Sequence, residues 1–458
     1  MTMIKKVLLA LALLFSPLLT ALVSPLLGGL GGSWLGGSVH SPLLTALVSP
    51  LLGGLGGSWP GGSWPGGSCS SAYAENLIIC NEGNYQSDNG QLSFYDGSKG
   101  TLTNKWFQTI NHSKLGDTPN DIIQINDTLV AIAVNWSNII QFIRPDGTAC
   151  GATEDVPNNR RLCTDGKFLY VTSYAHLCGS KKFTKGYVAK IDVATKKVVA
   201  ACEVGWEPDG VRLYQGKLYV ANTGGYSFQE GHDYESTVSV VDAATMTLEK
   251  NIETGCINLY GEMSQAGKYL CVNAAGDYYD HAPATVVLDC ESGKVTTFDF
   301  PCTYNTTDGD RFYTIGSSFS YNTGSYTWYF NTIDPQTMTV TQGVFNSTIT
   351  NKIKSLATPY ELYVSPYTKN VYFTDAGSYT GAGDLYGYTA GGEKLFGPLE
   401  TYINPAHILA LKPATATAIT TPSVSRPVNG ATYNLAGQRV GNDYKGIVVK
   451  NGKKYVQR

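Results

Sequence analysis

The stretch "EPDGVRLYQGKLYVAN" (Glu207–Asn222), followed after a polar loop by "STVSVVDAATMTLEKNI" (Ser236–Ile252), carries the reading of the whole chain. Glu207–Leu213 reads as one strand, Gln215-Gly216 as a turn, Lys217–Ala221 as a second strand and Thr237–Asp242 as a third. Val238, Val240 and Asp242 recur every second residue, the period of a strand and not of a helix. Thr245-Met246-Thr247 then turns the chain into a fourth strand at Leu248–Ile252. The turn between third and fourth strands, Asp242-Ala243-Ala244-Thr245, returns as Asp192-Val193-Ala194-Thr195, Asp289-Cys290-Glu291-Ser292 and Asp334-Pro335-Gln336-Thr337. An Asp with Ser or Thr three residues on bonds backbone amides in a tight turn, so these carboxylates are structural.

The second strand of that unit also recurs. Seven times a short apolar run ends in a small polar residue with an aromatic close behind. Leu77-Ile78-Ile79-Cys80 leads to Tyr85, Leu129–Val134 to Asn135-Trp136, and Phe168–Val171 to Ser173-Tyr174. Leu218–Val220 leads to Asn222 and Tyr226, and Tyr269–Val272 to Asn273, Tyr278 and Tyr279. Phe312–Ile315 leads to Phe319, and Val371–Thr374 to Asp375 and Tyr379. A spacing of roughly 40 to 60 residues is that of one propeller blade. No 12-residue window carries a helical stripe. The fold expected is all-β: a seven-bladed β-propeller closed between its N- and C-terminal strands, with a short C-terminal β tail. The first copy lacks an inner strand, and Pro405–Leu411 looks like an inner strand with nothing after it. One completes the other, leaving no open sheet edge.

Around the propeller, expected at residues 75–411, composition changes. Residues 1–74 hold Lys5 and Lys6 and no acid; from Lys412 onward there are eight basic residues and one acid, leaving 75–411 at −12. An acidic body disfavours nucleic acid and polyanionic substrates. Lys5-Lys6 and the apolar run Val7–Phe15 read as an export signal. The block Ser16–Trp34 then recurs unchanged as Ser41–Trp59, too rich in Gly and Pro to build a core. Ala72-Tyr73-Ala74 fits a signal peptidase site, and Cys69 a lipoprotein anchor. Either way the protein leaves the cytoplasm, for the cell surface or outer membrane, with the periplasm as fallback. Residues 412–430 read as a linker and 431–458 as a short basic β-unit. Nine cysteines remain after Ala74, without a CxxC pair. Cys271 with Cys290 and Cys163 with Cys202 are candidate disulfides, buried free thiols the alternative.

The segment Glu207–Thr245 resembles the YVTN-type, YncE-like propeller repeat, and the likeness extends over roughly residues 76–411. The opening "NEGNYQSDNGQLSFYDGSKGTLTNKWF" (Asn81–Phe107) is similar to exported propellers of Gram-negative gut anaerobes, among them surface proteins that capture cobalamin on a TonB-dependent outer-membrane transporter. The tail "YNLAGQRVGNDYKGIVVKNGKKYVQR" (Tyr433–Arg458) resembles type 9 secretion sorting domains, though it is shorter. The resemblance implies a corrinoid as bound ligand and such a transporter as partner.

Equivalent positions of successive blades share a face. The polar–aromatic steps are therefore expected to form one ring, together with Asn158-Asn159-Arg160, Glu207-Pro208-Asp209, Asn258-Leu259-Tyr260, Tyr304-Asn305, Pro359-Tyr360 and Asn404–His407. Tyr85, Trp136, Tyr174, Tyr226, Tyr278, Tyr279, Phe319 and Tyr379 offer flat faces with polar tips to a large, partly polar ligand, and Asn135, Asn222 and Asn273 offer amides at its rim. An Asn after a strand is equally an Asx-turn residue. His176 and His407 are the histidines expected on this face; each reads better as a turn or surface residue than as a metal ligand. Asp277, Asp280 and His281 lack a third ligand and read as a solvated loop, so no metal and no resident cofactor is expected. HExxH, GxSxG and phosphate-loop motifs are absent. The chain reads as a non-enzymatic ligand binder, with a protein- or glycan-binding surface module as the alternative and a propeller lyase or hydrolase as the third.

Overall fold

The computed structural model describes residues 74–413, without 278 and 321–324, and residues 432–457, without 435–437 and 451–452. The export segment with Cys69, most of the linker, Tyr278 and the side chain of Phe319 lie outside the described residues.

Seven four-stranded antiparallel sheets succeed one another through the first unit. Blade 1 takes its innermost strand, Pro405–Ala410, from the far end of the propeller; Ile79 stands opposite Ile408 in its pairing with Leu77–Asn81. The innermost strands of blades 2 to 7 are Pro119–Asn126, Asn159–Thr164, Pro208–Tyr214, Ser264–Ala266, Tyr304–Thr307 and Pro359–Val364. Each sheet packs both faces against its neighbours, so Leu129–Val134 is buried at all six positions. That is why the second strands read as unbroken apolar runs: each fully buried Leu, Ile or Val contributes roughly 1.5–3 kcal/mol.

Polar contacts run from blade to blade. Arg161 Nη1 donates to Asn120 O at 2.6 Å and Leu162 N to Asp121 at 2.7 Å, joining blades 3 and 2. Thr172 Oγ1 donates to Asp209 O at 2.7 Å, joining blades 3 and 4, and Gly261 N to Asp209 at 2.9 Å, joining blade 4 to the segment entering blade 5. Ser264 N donates to Asn305 at 3.0 Å, Thr374 Oγ1 to Pro405 O at 2.7 Å and Asp88 N to Asp117 at 2.9 Å, which carries the circle on to blade 6 and from blade 7 through blade 1 to blade 2.

The turns between third and fourth strands are built as the sequence implies. Thr195 and Thr245 each bond Asp192 or Asp242 through N–H and hydroxyl, holding both carboxyls below the usual carboxylate range. These turns lie on one face. Both ends of the propeller lie there too: Leu411 N donates to Asn76 O at 2.9 Å. The carboxylate of Glu75, itself buried, accepts from Ser365, Thr368 and the Tyr372 hydroxyl. The opposite face carries the loops between second and third strands and the connections into each inner strand.

Short helices interrupt the β pattern: α1 (Trp106–Asn111), the single turn α2 (Ser227–Glu230) and α3 (Ser347–Lys354). Each is too short to leave a helical stripe in a 12-residue window. None of the described helices is long and apolar enough to cross a membrane. The second unit, from Lys412, is a three-stranded sheet of Thr432–Asn434, Gly446–Lys450 and Lys453–Gln457, with Val448 as its buried apolar residue.

Neither candidate disulfide forms; the nine described cysteines are free thiols. Cys163 is on the innermost strand of blade 3 and Cys202 on the outermost, with two strands between them. At about 4.8 Å per strand that separation exceeds what a disulfide spans. Cys271 stands opposite Val287, whereas Cys290 lies beyond the end of that strand, three residues along the ladder.

Candidate functional site

One backbone hydrogen bond recurs around the loop face. The residue that follows the second strand donates its N–H to a residue of the connection into the inner strand, the one just before that strand everywhere but in blade 5. Asn135 N bonds Thr118 O, Tyr174 N bonds Asn158 O, Thr223 N bonds Glu207 O, Ala275 N bonds Asn258 O, Ala376 N bonds Thr358 O and Glu82 N bonds Asn404 O, at 2.9–3.2 Å. The polar–aromatic steps and the starts of the inner strands therefore share one face, as the repeats require. Thr118, Asn158, Glu207, Asn258 and Asn404 all take a left-handed conformation there, with φ from 43° to 61°.

The amides expected at the rim are consumed by the fold. Asn222 is fully buried: its Oδ1 accepts from Gly205 N, and its Nδ2 donates to Thr237 Oγ1 and Ser239 Oγ. Asn273 donates to Thr303 O and accepts from Asn305 Nδ2. Asn135 donates to Asn158 Oδ1 and Asn159 O of the next blade. These side chains tie second strands to neighbouring connections, and none of the three points a free Nδ2 at a ligand.

The aromatics behave differently. Tyr85 and Trp136 meet edge to face at 4.6 Å, and Trp136 keeps 45% of its surface exposed. Tyr174 meets Tyr226 at 5.4 Å, and Tyr360 lies 5.8 Å from Tyr379 and 6.2 Å from Tyr304. Tyr279 stands out at 60% exposure. The strands of blade 6 run on to Ser320 and Ser325, beyond the length of the other hairpins, and carry the exposed Tyr326 and Trp328. Phe319 pairs with Tyr326 there through its backbone.

Toward the axis the surface becomes charged, which the sequence did not reveal. The Arg160 guanidinium lies over Tyr174 at 4.6 Å and near Tyr260 at 5.9 Å. Its Nε is 3.4 Å from Asp209, which is fully buried and also faces Arg161 Nε at 3.6 Å. Arg161 reaches Glu262, two blades away, at 3.8 Å, and Glu262 also pairs with Arg212. Such contacts between non-adjacent blades put these side chains in the axial channel. His407 is there as well, its Nε2 3.0 Å from Arg161 Nη1. Burial and the arginine charge push its pKa well below the ordinary value, so the neutral ring accepts from Arg161. Burial, reinforced by the Glu262 charge, lifts Asp121 to about 7 and Glu361 well above the usual carboxylate range. Burial also raises Glu82, which accepts from the Tyr360 hydroxyl at 2.5 Å. Single Arg, Asp and Glu residues on different strands carry no local signal of this network; only Arg160 and Asp209 stood in segments assigned to this face.

The Tyr174 hydroxyl is buried and has no hydrogen-bond partner among the described residues. With Arg160 on its ring and Tyr226 and Tyr260 beside it, the site presents aromatic faces, a fixed cation and an unmatched hydroxyl. The Asp277 loop is self-contained: Asp277 accepts from the backbone of Tyr279, Asp280 and His281 and from the His281 ring. Against the cost of burial, the His281 bonds hold its pKa at about 2. Two other concavities are small. One, of about 160 Å³, lies between Ser87–Leu92 and Lys114-Leu115, and another, of about 360 Å³, lies at the turns of Gly267, Gly309 and Asp334.

No family model and no curated protein matches the chain. Among solved structures it is similar to a quinonprotein alcohol dehydrogenase-like protein from Bacteroides thetaiotaomicron VPI-5482, at 13% identity over 74% of this chain and 78% of that one, TM-score 0.49. A putative 6-phosphogluconolactonase from Bacteroides fragilis NCTC 9343 matches at 12% over 75% and 99%, TM-score 0.48. A hypothetical selenium-binding protein from Sulfolobus tokodaii matches at 10% over 74% and 91%, TM-score 0.48.

Proposed function

We propose that the chain is an exported, non-catalytic β-propeller that holds a ligand non-covalently on its aromatic loop face. The observation that carries this reading is the Tyr174–Arg160 stack with its unpartnered hydroxyl, flanked by Tyr226 and Tyr260. The ligand class that suits it is broad, partly flat and rich in amide acceptors, and a cobalamin-like corrinoid handed on to a TonB-dependent outer-membrane transporter meets that description. With the Asn amides engaged in the fold, the donors to such a ligand are tyrosine hydroxyls and Arg160. In this reading the ligand lies across the open aromatic face. A second reading, a protein- or glycan-binding surface module, draws on the separate exposed aromatics Tyr279, Tyr326 and Trp328.

Titration of the purified protein with cyanocobalamin and cobinamide, followed by calorimetry and tryptophan fluorescence, separates the two. Saturable one-to-one binding that weakens on Tyr226→Ala supports corrinoid capture. Absence of heat and quenching removes the corrinoid and leaves the surface module.

A further inference from the structure

We infer that His176, Glu207, Glu230 and His232 form a binding site for a divalent transition-metal ion, with Zn²⁺ the first choice. The four come from three places in the chain. His176 is in the loop after the second strand of blade 3, Glu207 immediately precedes the inner strand of blade 4, and Glu230 and His232 flank Gly231 at the end of α2. Gly231, at φ 77°, makes the left-handed turn that sets Glu230 and His232 beside each other. One ligand atom each from His176, Glu207 and Glu230 lies within 4.8 Å of the other two. His232 Nε2 is 3.4 Å from Glu207 Oε2, and His176 Nε2 is 3.4 Å from Glu230 Oε2. Donors about 2.0–2.2 Å from a tetrahedral ion stand roughly 3.3–3.6 Å apart, so each histidine–carboxylate pair already has that spacing, and the two pairs must close on each other to complete the shell.

Unmatched polar atoms point the same way. Glu207 is fully buried and its Oε1 has no hydrogen-bond partner among the described residues; His176 Nε2 and His232 Nε2 are buried and, each with a carboxylate oxygen at 3.4 Å, have no hydrogen bond there either. His232 Nδ1 lies 2.9 Å from the Asp233 carbonyl, so the Nδ1–H tautomer leaves the Nε2 lone pair toward Glu207. The lone pair and the carboxylate oxygen facing each other at 3.4 Å repel unless a proton or a metal ion joins them. Trp206 orients both imidazoles, stacked on His232 at 4.1 Å and edge-on to His176 at 5.6 Å. Two imidazoles with two carboxylates suit Zn²⁺ and its first-row neighbours and disfavour the all-oxygen shells of Ca²⁺ and Mg²⁺. The site touches the aromatic face through Tyr226, whose N–H donates to Glu207 Oε2 at 3.1 Å. It does not depend on what that face binds.

The test is equilibrium dialysis and calorimetry of the EDTA-stripped full chain with ZnCl₂, with metal analysis. One Zn²⁺ per chain is expected, undisturbed by millimolar Ca²⁺ or Mg²⁺. His176→Ala and His232→Ala should each weaken it by about tenfold or more. His281→Ala, at the separate Asp277 loop, should leave it unchanged. Co²⁺ loading should give visible d–d absorption that disappears in His232→Ala. Should His232→Ala fail to fold, His176→Ala decides, because its side chain is 39% exposed and its loss spares the core. Zn²⁺ binding unaltered by either histidine variant, equal competition by Ca²⁺, or no binding at all overturns the site.

Discussion

Replacing Asn222 by alanine leaves the Gly205 amide without its acceptor and takes a donor from the hydroxyls of Thr237 and Ser239, which keep their bonds to Glu235 and Asn251. With the amide fully buried, a loss of about 2–3 kcal/mol is expected in urea unfolding, with ligand affinity unchanged in the protein that stays folded. Tyr174→Phe reverses the pattern. It removes a hydroxyl that is buried and unpartnered, so stability should hold or rise slightly while affinity for the ligand falls about tenfold. Equal affinity losses from both variants would contradict the division of labour between Asn and Tyr. Sequence alone cannot make this division. Asn222 and Tyr174 occupy the same polar–aromatic step in successive blades, and what separates them is whether a neighbouring turn has claimed the side chain.

At the scale of strands and blades, legibility depends on how local the signal is. The apolar second strands, the Asp–Ser/Thr turns and the orphan strand at Pro405 are each visible in a few consecutive residues, and they yield the blade count and its closure. The axial channel is not visible in this way. Asp121, Arg161, Asp209 and Glu262 sit on the inner strands or on the segment leading into one, far apart in sequence, and each resembles an ordinary solvent-facing residue until the ring brings them together. The His–Glu cluster escapes for the same reason, and because Glu230 and His232 lie in a loop that aligns with nothing in the other blades. Closure gives the element-scale prediction. A chain ending at Asn404 bares the edge of Leu77–Asn81, five buried residues, and leaves Tyr363 without its bond to Ala410 N. Such a chain should lose its cooperative urea transition and associate through the open edge. A truncated protein that stays monomeric with an unchanged midpoint would mean that blade 1 does not hold the ring shut.

The charge buried along the axis gives the whole molecule a pH dependence of definite sign. Asp121, held at about 7, keeps a proton in the folded state across the range where the unfolded chain, with a carboxyl near 4, has released it. Glu361 and Glu82 are raised in the same sense. From about pH 4 upward the native protein therefore binds more protons than the unfolded one, and these groups make stability fall as pH rises. His407 works against them below about 6.5, where the unfolded chain protonates an imidazole that the folded channel keeps neutral. Three acids outweigh one base, and above about 6.5 the base drops out, so the decline should be steepest near neutrality. At the acid end the sign reverses. Asp277 and Asp96, both held at about 2, favour the folded state until they are protonated, so their contribution is lost as pH falls below about 4. Maximum stability is thus expected on the acid side, roughly pH 4 to 6. Asp121→Asn isolates one of these groups, because the amide cannot ionise; its single oxygen serves only one of the Ile122 and Leu162 amides that the two carboxylate oxygens accept from, so the comparison is made on the pH slope and not on absolute stability. Melting temperatures measured at pH 5 and pH 7.5 should drop further in the wild type than in the variant. Parallel drops would mean that Asp121 is already ionised throughout, paired with Arg161 as an ordinary ion pair, and that the channel stores no proton.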